Sequence, residues 1–365
     1  MTKRLLYFVQ LPPPPHGSAM VSERVIGLPA LQGRLNARVL PIRFSKDVAD
    51  LERFSLRKLL YAILLLLRLA IRLLTFRPHY VYFTIAPTGL AFVRDAIYVA
   101  AIKAAGATPI LHIHGRGIGE ISRRSGRWRR LCNYVFGRSV IINASPVLLE
   151  SEFSLIDLSA ARSVIIANSV PEAALPAVEK SGPPRILFLS ATWPFKGLGF
   201  LFEAAAQLKQ AGRAFHIDVV GGSRPEHDEA WARSIARLGL GDIVTLHGMI
   251  YGTEKLAFFA RADIFCHPTT RDYSPLVIVE AMAAGLPVVA SGIGGIVDLV
   301  ADRKSGLLVV PRDVAGLVQA LACLIDDVDL REKFGREGRS RYEAVHHPDR
   351  FESAIVSLYE ELGLI

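Results

Sequence analysis

Short apolar runs rich in Val, Ile, Leu, Phe and Tyr recur along the chain, with longer stretches of helical spacing between them. The runs Arg4–Val9, Tyr80–Thr84, Pro109–His114, Val140–Asn143 and Val164–Ala167 read as strands of a first half. A second half carries strand-like runs at Arg185–Ser190, His216–Val220, Ile243–His247, Asp263–His267 and Pro287–Ala290. Helices are expected at Ala91–Ala105, Leu198–Ala211, Glu226–Leu238, Thr253–Arg261, Pro275–Ala284 and Val314–Ile325. Strands alternating with helices imply parallel sheets covered by helices on both faces. The stretch Pro171–Pro184 (PEAALPAVEKSGPP) is rich in Pro and small residues and has no apolar period, so it reads as a hinge. Two such halves would leave a central cleft at the carboxyl ends of their strands, where open α/β sheets bind ligands.

The length supports this division, since 365 residues suffice for two domains and 51% of them are hydrophobic. Cys132, Cys266 and Cys323 lie far apart, without a CxxC pair or metal-site spacing. Neither a disulfide framework nor a metal site is expected, and a reducing cytoplasm fits. The opening MTKRLLYFVQ is basic and then apolar, but the run Leu5–Val9 is short for a signal core and Pro12–Pro15 follow it, so a strand is expected there. The net charge of +9 is uneven: residues 1–178 hold 23 Lys/Arg against 10 Asp/Glu, and residues 179–365 hold 20 against 24. The first half is therefore suited to an anionic partner. No nucleic-acid motif is present, so a phosphorylated acceptor or a phospholipid surface is expected rather than nucleic acid.

The segment RDYSPLVIVEAMAAGLPVVASGIGGIVDLV, Arg271 to Val300, carries the clearest chemistry. Ser274 and Pro275 read as the N-cap and first residue of a helix that continues through Leu276. The carboxylates of Asp272 and Glu280 flank that helix start and can accept hydrogen bonds from vicinal hydroxyls. The helix start and the Gly294-Gly295 turn offer backbone N–H groups to a diphosphate.

At these residues the chain resembles retaining glycosyltransferase family 4, whose motif is normally Glu, seven residues, Glu, then AMAxGxPVVAS and a Gly-Gly turn. KGLGFLFEAAAQL (Lys196–Leu208), VVGG (Val219–Gly222), VTLHGMI (Val244–Ile250), ADIFCHPT (Ala262–Thr269), SGLLVVPRDVAGLVQAL (Ser305–Leu321) and IIANSVP (Ile165–Pro171) extend the likeness over most of residues 164–342. The first half matches loosely. The resemblance implies a GT-B fold, two Rossmann-like α/β domains with parallel sheets facing a central cleft. The expected domains are 1–172 on the acceptor side and 173–345 for the nucleotide sugar, with 346–365 a helix crossing back to the first. It also implies that Glu280 holds the ribose and that Asp272, with the backbone of Ser274, Pro275 and Leu276, meets the donor sugar. Lys196 would neutralise the diphosphate with help from Gly294 and Gly295, and Met249 and Ile250 would border the base. His114, before Gly115 at a strand end, would face the donor sugar and acceptor. The sequence departs from the family in having Asp272 for the first Glu and Ala191 where an Arg is usual, so one phosphate contact is either missing or supplied from elsewhere, with Arg224 the candidate.

Six arginines and Trp128 crowd the stretch after His114: Arg116, Arg123, Arg124, Arg127, Arg129 and Arg130. They read as a loop and basic helix for a phosphate-bearing acceptor or an anionic bilayer. Leu59–Leu74 is the most apolar run, and Arg53, Arg57, Arg68 and Arg72 share an arc of roughly 100° about that helix. It is either a core helix with a solvated edge or one that also rests on a membrane. His16, in the loop after the first strand, would touch the acceptor.

The expected activity is retaining transfer of a sugar from a UDP- or GDP-sugar to a saccharide or lipid-linked acceptor in envelope or exopolysaccharide synthesis. The nucleotide sugar is a substrate, and no resident cofactor is expected. The protein is expected in the cytoplasm, with peripheral contact to the cytoplasmic face of an anionic membrane. A GT-B nucleotide-sugar epimerase and a non-catalytic, membrane-associated nucleotide-sugar binder are the alternatives.

Overall fold

The computed structural model describes residues 3–13, 17–43 and 56–365. His16 and Arg53 lie outside the described residues. The chain forms two compact units, residues 1–168 with 349–365, and residues 169–348.

In the first unit β1 (Arg4–Gln10), β2 (Asn36–Ile42), β3 (Tyr80–Ile85), β4 (Thr108–Ile113), β5 (Val140–Asn143) and β6 (Arg162–Ile165) form one sheet in the order β2-β1-β3-β4-β5-β6. Every pairing is parallel. The connections carry α1 (Gly17–Ile26), α2 (Leu56–Phe76), α3 (Gly89–Ala104), α4 (Ile118–Arg124), α5 (Gly126–Phe136) and α6 (Pro146–Phe153). Leu5, Leu6, Phe8 and Val9 are fully buried, as expected of a strand covered on both faces.

The second unit has β7 (Arg185–Leu189), β8 (His216–Val220), β9 (Val244–Leu246), β10 (Ile264–His267), β11 (Val288–Ser291) and β12 (Gly306–Val309), again parallel, in the order β12-β11-β10-β7-β8-β9. Its helices are α7 (Leu198–Gln210), α8 (Pro225–Arg237), α9 (Leu256–Arg261), α10 (Leu276–Ala283), α11 (Ile296–Leu299), α12 (Val314–Asp326) and α13 (Val328–Arg341). From β7 the chain runs outward to β8 and β9, and from β10 it runs the other way to β11 and β12. The neighbours β7 and β10 thus form a topological switch point, where diverging loops open a crevice at the carboxyl ends of the strands.

The last helix, α14 (Pro348–Glu361), belongs to the first unit. It buries Phe351, Ile355, Leu358 and Tyr359 there, with Tyr359 beside Tyr7 of β1. Lys3 Nζ donates to the Leu362 carbonyl at 2.7 Å.

Two local expectations are corrected. The helix expected to start with Ser274 as N-cap begins at Leu276, with Pro275 in the cap position. Pro275 has an extended ψ of 124°, so it takes the cap position and the helix starts one residue on. The fifth strand, expected at Val164–Ala167, spans Arg162–Ile165, because the ladder with β5 begins at the polar pair Arg162 and Ser163.

Candidate functional site

The loops leaving β7 and β10 meet in the second unit. After β7 the chain passes through Ala191 and Trp193 into a 3-10 turn, Pro194–Lys196, and then Gly197. After β10 it passes through Pro268 to Asp272. The Phe195 carbonyl accepts from the Thr270 N–H at 2.7 Å and from the Thr269 and Thr270 hydroxyls at 3.1 Å. Gly197 has φ +85°, and a Cβ there would stand 1.9 Å from the Pro268 carbonyl oxygen. Only glycine allows this approach, and it sets the neighbouring Lys196 against the β10 loop.

Lys196 Nζ donates to Asp272 Oδ2 at 2.6 Å. His267, fully buried at the end of β10, donates from Nε2 to the same oxygen at 2.9 Å. Asp272 Oδ1 accepts from the Tyr273 N–H at 3.2 Å. Burial alone would raise the Asp272 carboxyl, but the Lys196 ammonium and the His267 bond outweigh it and hold the group well below the usual carboxylate range. Asp272 is therefore a fixed anion and a poor proton acceptor. The side chain is one methylene shorter than glutamate, and both of its oxygens are engaged.

Ser274, Pro275 and Leu276 carry the chain from this cluster into α10. The first N–H groups of that helix have no intrahelical acceptor, which suits them to a ligand oxygen. The turn at Gly294 and Gly295 is tied to the same place, because the Gly295 N–H donates to the Tyr273 carbonyl at 2.7 Å. That bond occupies the Gly295 amide in this conformation and leaves Gly294 as the glycine whose N–H has no protein acceptor among the described residues.

Farther along α10, Glu280 Oε1 accepts from Lys255 Nζ at 2.6 Å, while its buried Oε2 has no hydrogen-bond partner among the described residues. An unpartnered buried carboxylate oxygen costs free energy and is a ready acceptor for a hydroxyl. Met249 is 60% exposed, and its side chain lies against Gly222. Ile250 is half-buried on the second core cluster of this unit. Arg224 starts α8 with its guanidinium carbon 5.1 Å from the Trp193 ring centre, bringing a second cation to the Lys196 loop. Its buried Nε has no partner among the described residues. Thr192 fixes the same region, donating to Asp228 Oδ1 at 2.7 Å and accepting from Trp231 Nε1 at its carbonyl at 2.8 Å.

Lys255, His267 and Trp193, on which Arg224 stacks, are functional candidates that the sequence did not single out. His267 alone had a signal, a polar residue ending the apolar run IFCH.

In the first unit His114 follows β4, half-buried, with its ring centre 4.0 Å from that of His112. The two rings share a side, as alternate positions in an extended segment do. His112 is fully buried and hydrogen-bonds through Nδ1 to the Tyr82 hydroxyl. The loop after His114 is held from α6: Glu152 Oε2 accepts from the Gly117 and Gly119 N–H groups at 2.8 and 3.1 Å. Gly117, at φ +126°, lies where a Cβ would stand 1.9 Å from the Thr88 methyl group.

Burial first, and then the neighbouring His114, push His112 well below the ordinary histidine value. Burial likewise lowers His267, against the opposing effect of Asp272. Both are neutral in the folded chain at pH 7. Below about pH 6.5 the unfolded chain takes up protons that these folded imidazoles refuse, so stability falls as pH falls, by up to about 1.4 kcal/mol per unit for each group. Urea midpoints should decline from pH 7 to pH 5, and less steeply in His112→Gln. Midpoints that stay flat over that range would contradict neutral burial.

Residues 183–327 match the family model described as Glycosyl transferases group 1. Over 177 residues the chain is 32% identical to the MMP alpha-(1->4)-mannosyltransferase of Mycolicibacterium hassiacum, covering 48% of this chain and 42% of that protein. Over 171 residues it is 33% identical to the 2-deoxystreptamine glucosyltransferase of Streptomyces kanamyceticus, covering 46% and 44%. The matches thus span less than half the length of these curated relatives. Among solved structures, sucrose-phosphate synthase from Thermosynechococcus elongatus superposes with a TM-score of 0.80 at 17% identity over 99% of both chains. Anabaena HepE in complex with UDP-glucose gives 0.73 at 20% identity over 98% of this chain and 100% of that one. The fold is GT-B, with two Rossmann-like α/β units.

Proposed function

From the glycosyl transferases group 1 domain that residues 183–327 form, we propose that this chain is a retaining glycosyltransferase using a UDP- or GDP-sugar. The observation that carries the reading is the switch-point cluster, where Lys196 and Asp272 are joined at 2.6 Å beside the start of the helix that bears Glu280. A nucleoside diphosphate sugar needs a cation for its diphosphate, an acceptor for ribose hydroxyls and a fixed anion or backbone for the sugar. Lys196, Glu280 and the Asp272–Leu276 segment supply these in turn. The UDP-glucose held by HepE, a protein of the same fold, supports the same donor class.

In the proposed reaction the bond from the diphosphate to the anomeric carbon breaks, the acceptor hydroxyl oxygen bonds to that carbon from the same side, and the hydroxyl proton passes to the departing diphosphate. Lys196 and the first N–H groups of α10 stabilise the charge that develops on it. Asp272 acts chiefly by orienting Lys196 and receiving a sugar hydroxyl, since a carboxylate with so depressed a pKa is a weak base. Arg224 supplies the second phosphate contact in place of the absent arginine at Ala191. Met249 and Ile250 border the base, and the resemblance to family 4 assigns His114 to the sugar and acceptor. The acceptor is a saccharide, free or lipid-linked, of an envelope or exported polysaccharide. The basic first half suits a phosphate-bearing acceptor.

The primary test is to incubate the chain with UDP- and GDP-sugars and candidate acceptors and to read the anomeric configuration of any product by NMR. Product with inverted configuration, or epimerised donor in the absence of acceptor, would overturn the reading. Glu280→Ala is expected to weaken UDP or GDP binding by about 1–3 kcal/mol, through loss of a buried hydroxyl acceptor. The affinity for inorganic pyrophosphate should be unchanged. Equal loss for both ligands in calorimetry would remove Glu280 from the ribose site.

A further inference from the structure

The outward surface of the first unit has a feature unrelated to nucleotide binding. α3 packs between α2 and α5, and Tyr98 Oη of α3 donates to the Ala62 carbonyl of α2 at 2.9 Å. α2 turns Leu65, Leu69, Leu73 and Phe76 inward. Its outward face is mainly aliphatic, with Thr75 at one edge: Leu60 is 68% exposed, Leu67 57%, Ile71 57% and Leu74 73%, with Ile63 and Leu56 beside them. α3 continues that surface with Leu90 and Ile97 exposed. Its two cations turn away, Arg94 onto Asp95 and Lys103 onto the Val135 and Gly137 carbonyls.

Arginines border this strip on both sides. Arg57, Arg68 and Arg72 run along α2, on the flank opposite the one that Tyr98 of α3 bonds. Arg127, Arg129 and Arg130 stand exposed on α5 at the other border. The only acidic residue in the three helices is Asp95, which is 1% exposed and neutralised by Arg94. α2 is long and apolar enough to cross a membrane by length and composition, but its inner face is packed into the unit.

We propose that the α2–α3–α5 face docks onto the surface of an anionic bilayer. The leucines and isoleucines would enter the acyl boundary, and the two arginine borders would lie among phosphate headgroups. An aliphatic strip this large is costly in water. Flanking cations without acidic relief are the arrangement of an interfacial helix. A two-fold dimer through the same face would bring like-charged borders together, which disfavours a second copy as the occupant. Leu64 and Leu59, at the margins of the strip, are 43% and 48% exposed.

The test is flotation of the full chain with phosphatidylcholine vesicles, with and without phosphatidylglycerol, across a salt series. Binding should require the anionic lipid and weaken with salt. Leu60→Glu with Leu67→Glu should lower the partition coefficient at least tenfold. Arg68→Ala with Arg72→Ala should lower it by about fivefold per arginine and flatten the salt dependence. These positions are exposed, and circular dichroism with the thermal shift produced by UDP or GDP verifies folding. Absence of a preference for anionic vesicles in the parent chain would overturn the proposal. So would unchanged partition in folded variants, or a dimer in solution that the Leu60→Glu and Leu67→Glu pair dissolves. Each of these results leaves the nucleotide-sugar assignment standing, since that is read by the thermal shift.

Discussion

Lys196→Ala is expected to lower the transfer rate by about 10²–10³-fold, the usual cost of removing one preorganised donor from a site of developing negative charge. The argument rests on position. Lys196 is 17% exposed and is held on Asp272 Oδ2 by a turn whose Phe195 carbonyl is bonded to Thr270. Its ammonium is therefore oriented before any diphosphate arrives. The substitution also strands the Asp272 carboxylate, which keeps only His267 and the Tyr273 N–H. That should cost about 3 kcal/mol of stability, the low end for breaking a buried ion pair. The two effects separate in a double-mutant cycle. Lys196→Ala with Asp272→Ala should recover stability in urea but not the rate. A double variant that turns over near the parent rate would show that Lys196 serves only to neutralise Asp272.

Gly197→Ala should destabilise the second unit by about 2–5 kcal/mol. Left-handed backbone at a residue with a side chain costs about 1–2 kcal/mol, and overpacking adds about 1–3 more. The added methyl group would overlap the Pro268 carbonyl oxygen, and backbone on both sides of the contact is pinned by the Phe195–Thr270 bonds. Relief requires the β7 and β10 loops to part, which moves Lys196 off Asp272, so rate and stability should fall together. Gly212→Ala is the control. Gly212 has φ +76° but nothing within 4 Å of its Cβ position, so it should cost about 1 kcal/mol and leave the rate intact. Equal losses in the two variants, measured by chemical unfolding, would show that the close approach to Pro268 is unimportant.

Central strands were legible because they are buried on both faces. Val140–Asn143 and His216–Val220 agree residue for residue with the apolar runs that announced them. β2 was not found, since it is an edge strand whose Asn36, Arg38 and Val39 are exposed and which carries Pro41. The family motif singled out Lys196, Asp272 and Glu280, but not the reason two of them touch. That reason is the sheet order, which makes β7 and β10 neighbours and so joins Lys196 and Asp272, 76 positions apart in the chain. Long-range partners such as Lys255 for Glu280 leave no periodic trace in the sequence. The orientation of α2 was equally hidden. When a helix is apolar over most of its circumference, spacing alone does not say which side the fold covers.

The return of α14 to the first unit makes the amino-terminal half depend on residues at the other end of the chain. Residues 169–348 are contiguous, whereas the first unit waits for residues 349–365 before Tyr359 and Leu364 are buried and Lys3 meets Leu362. The later-made half is thus complete in a chain that ends at His347, while the earlier-made half still lacks its last helix. A released chain truncated after His347 should still resist proteolysis across the second unit and be cleavable near β1. By the same logic, clipping a dozen residues from the carboxyl end would unseat the amino-terminal unit while sparing the one that carries Lys196.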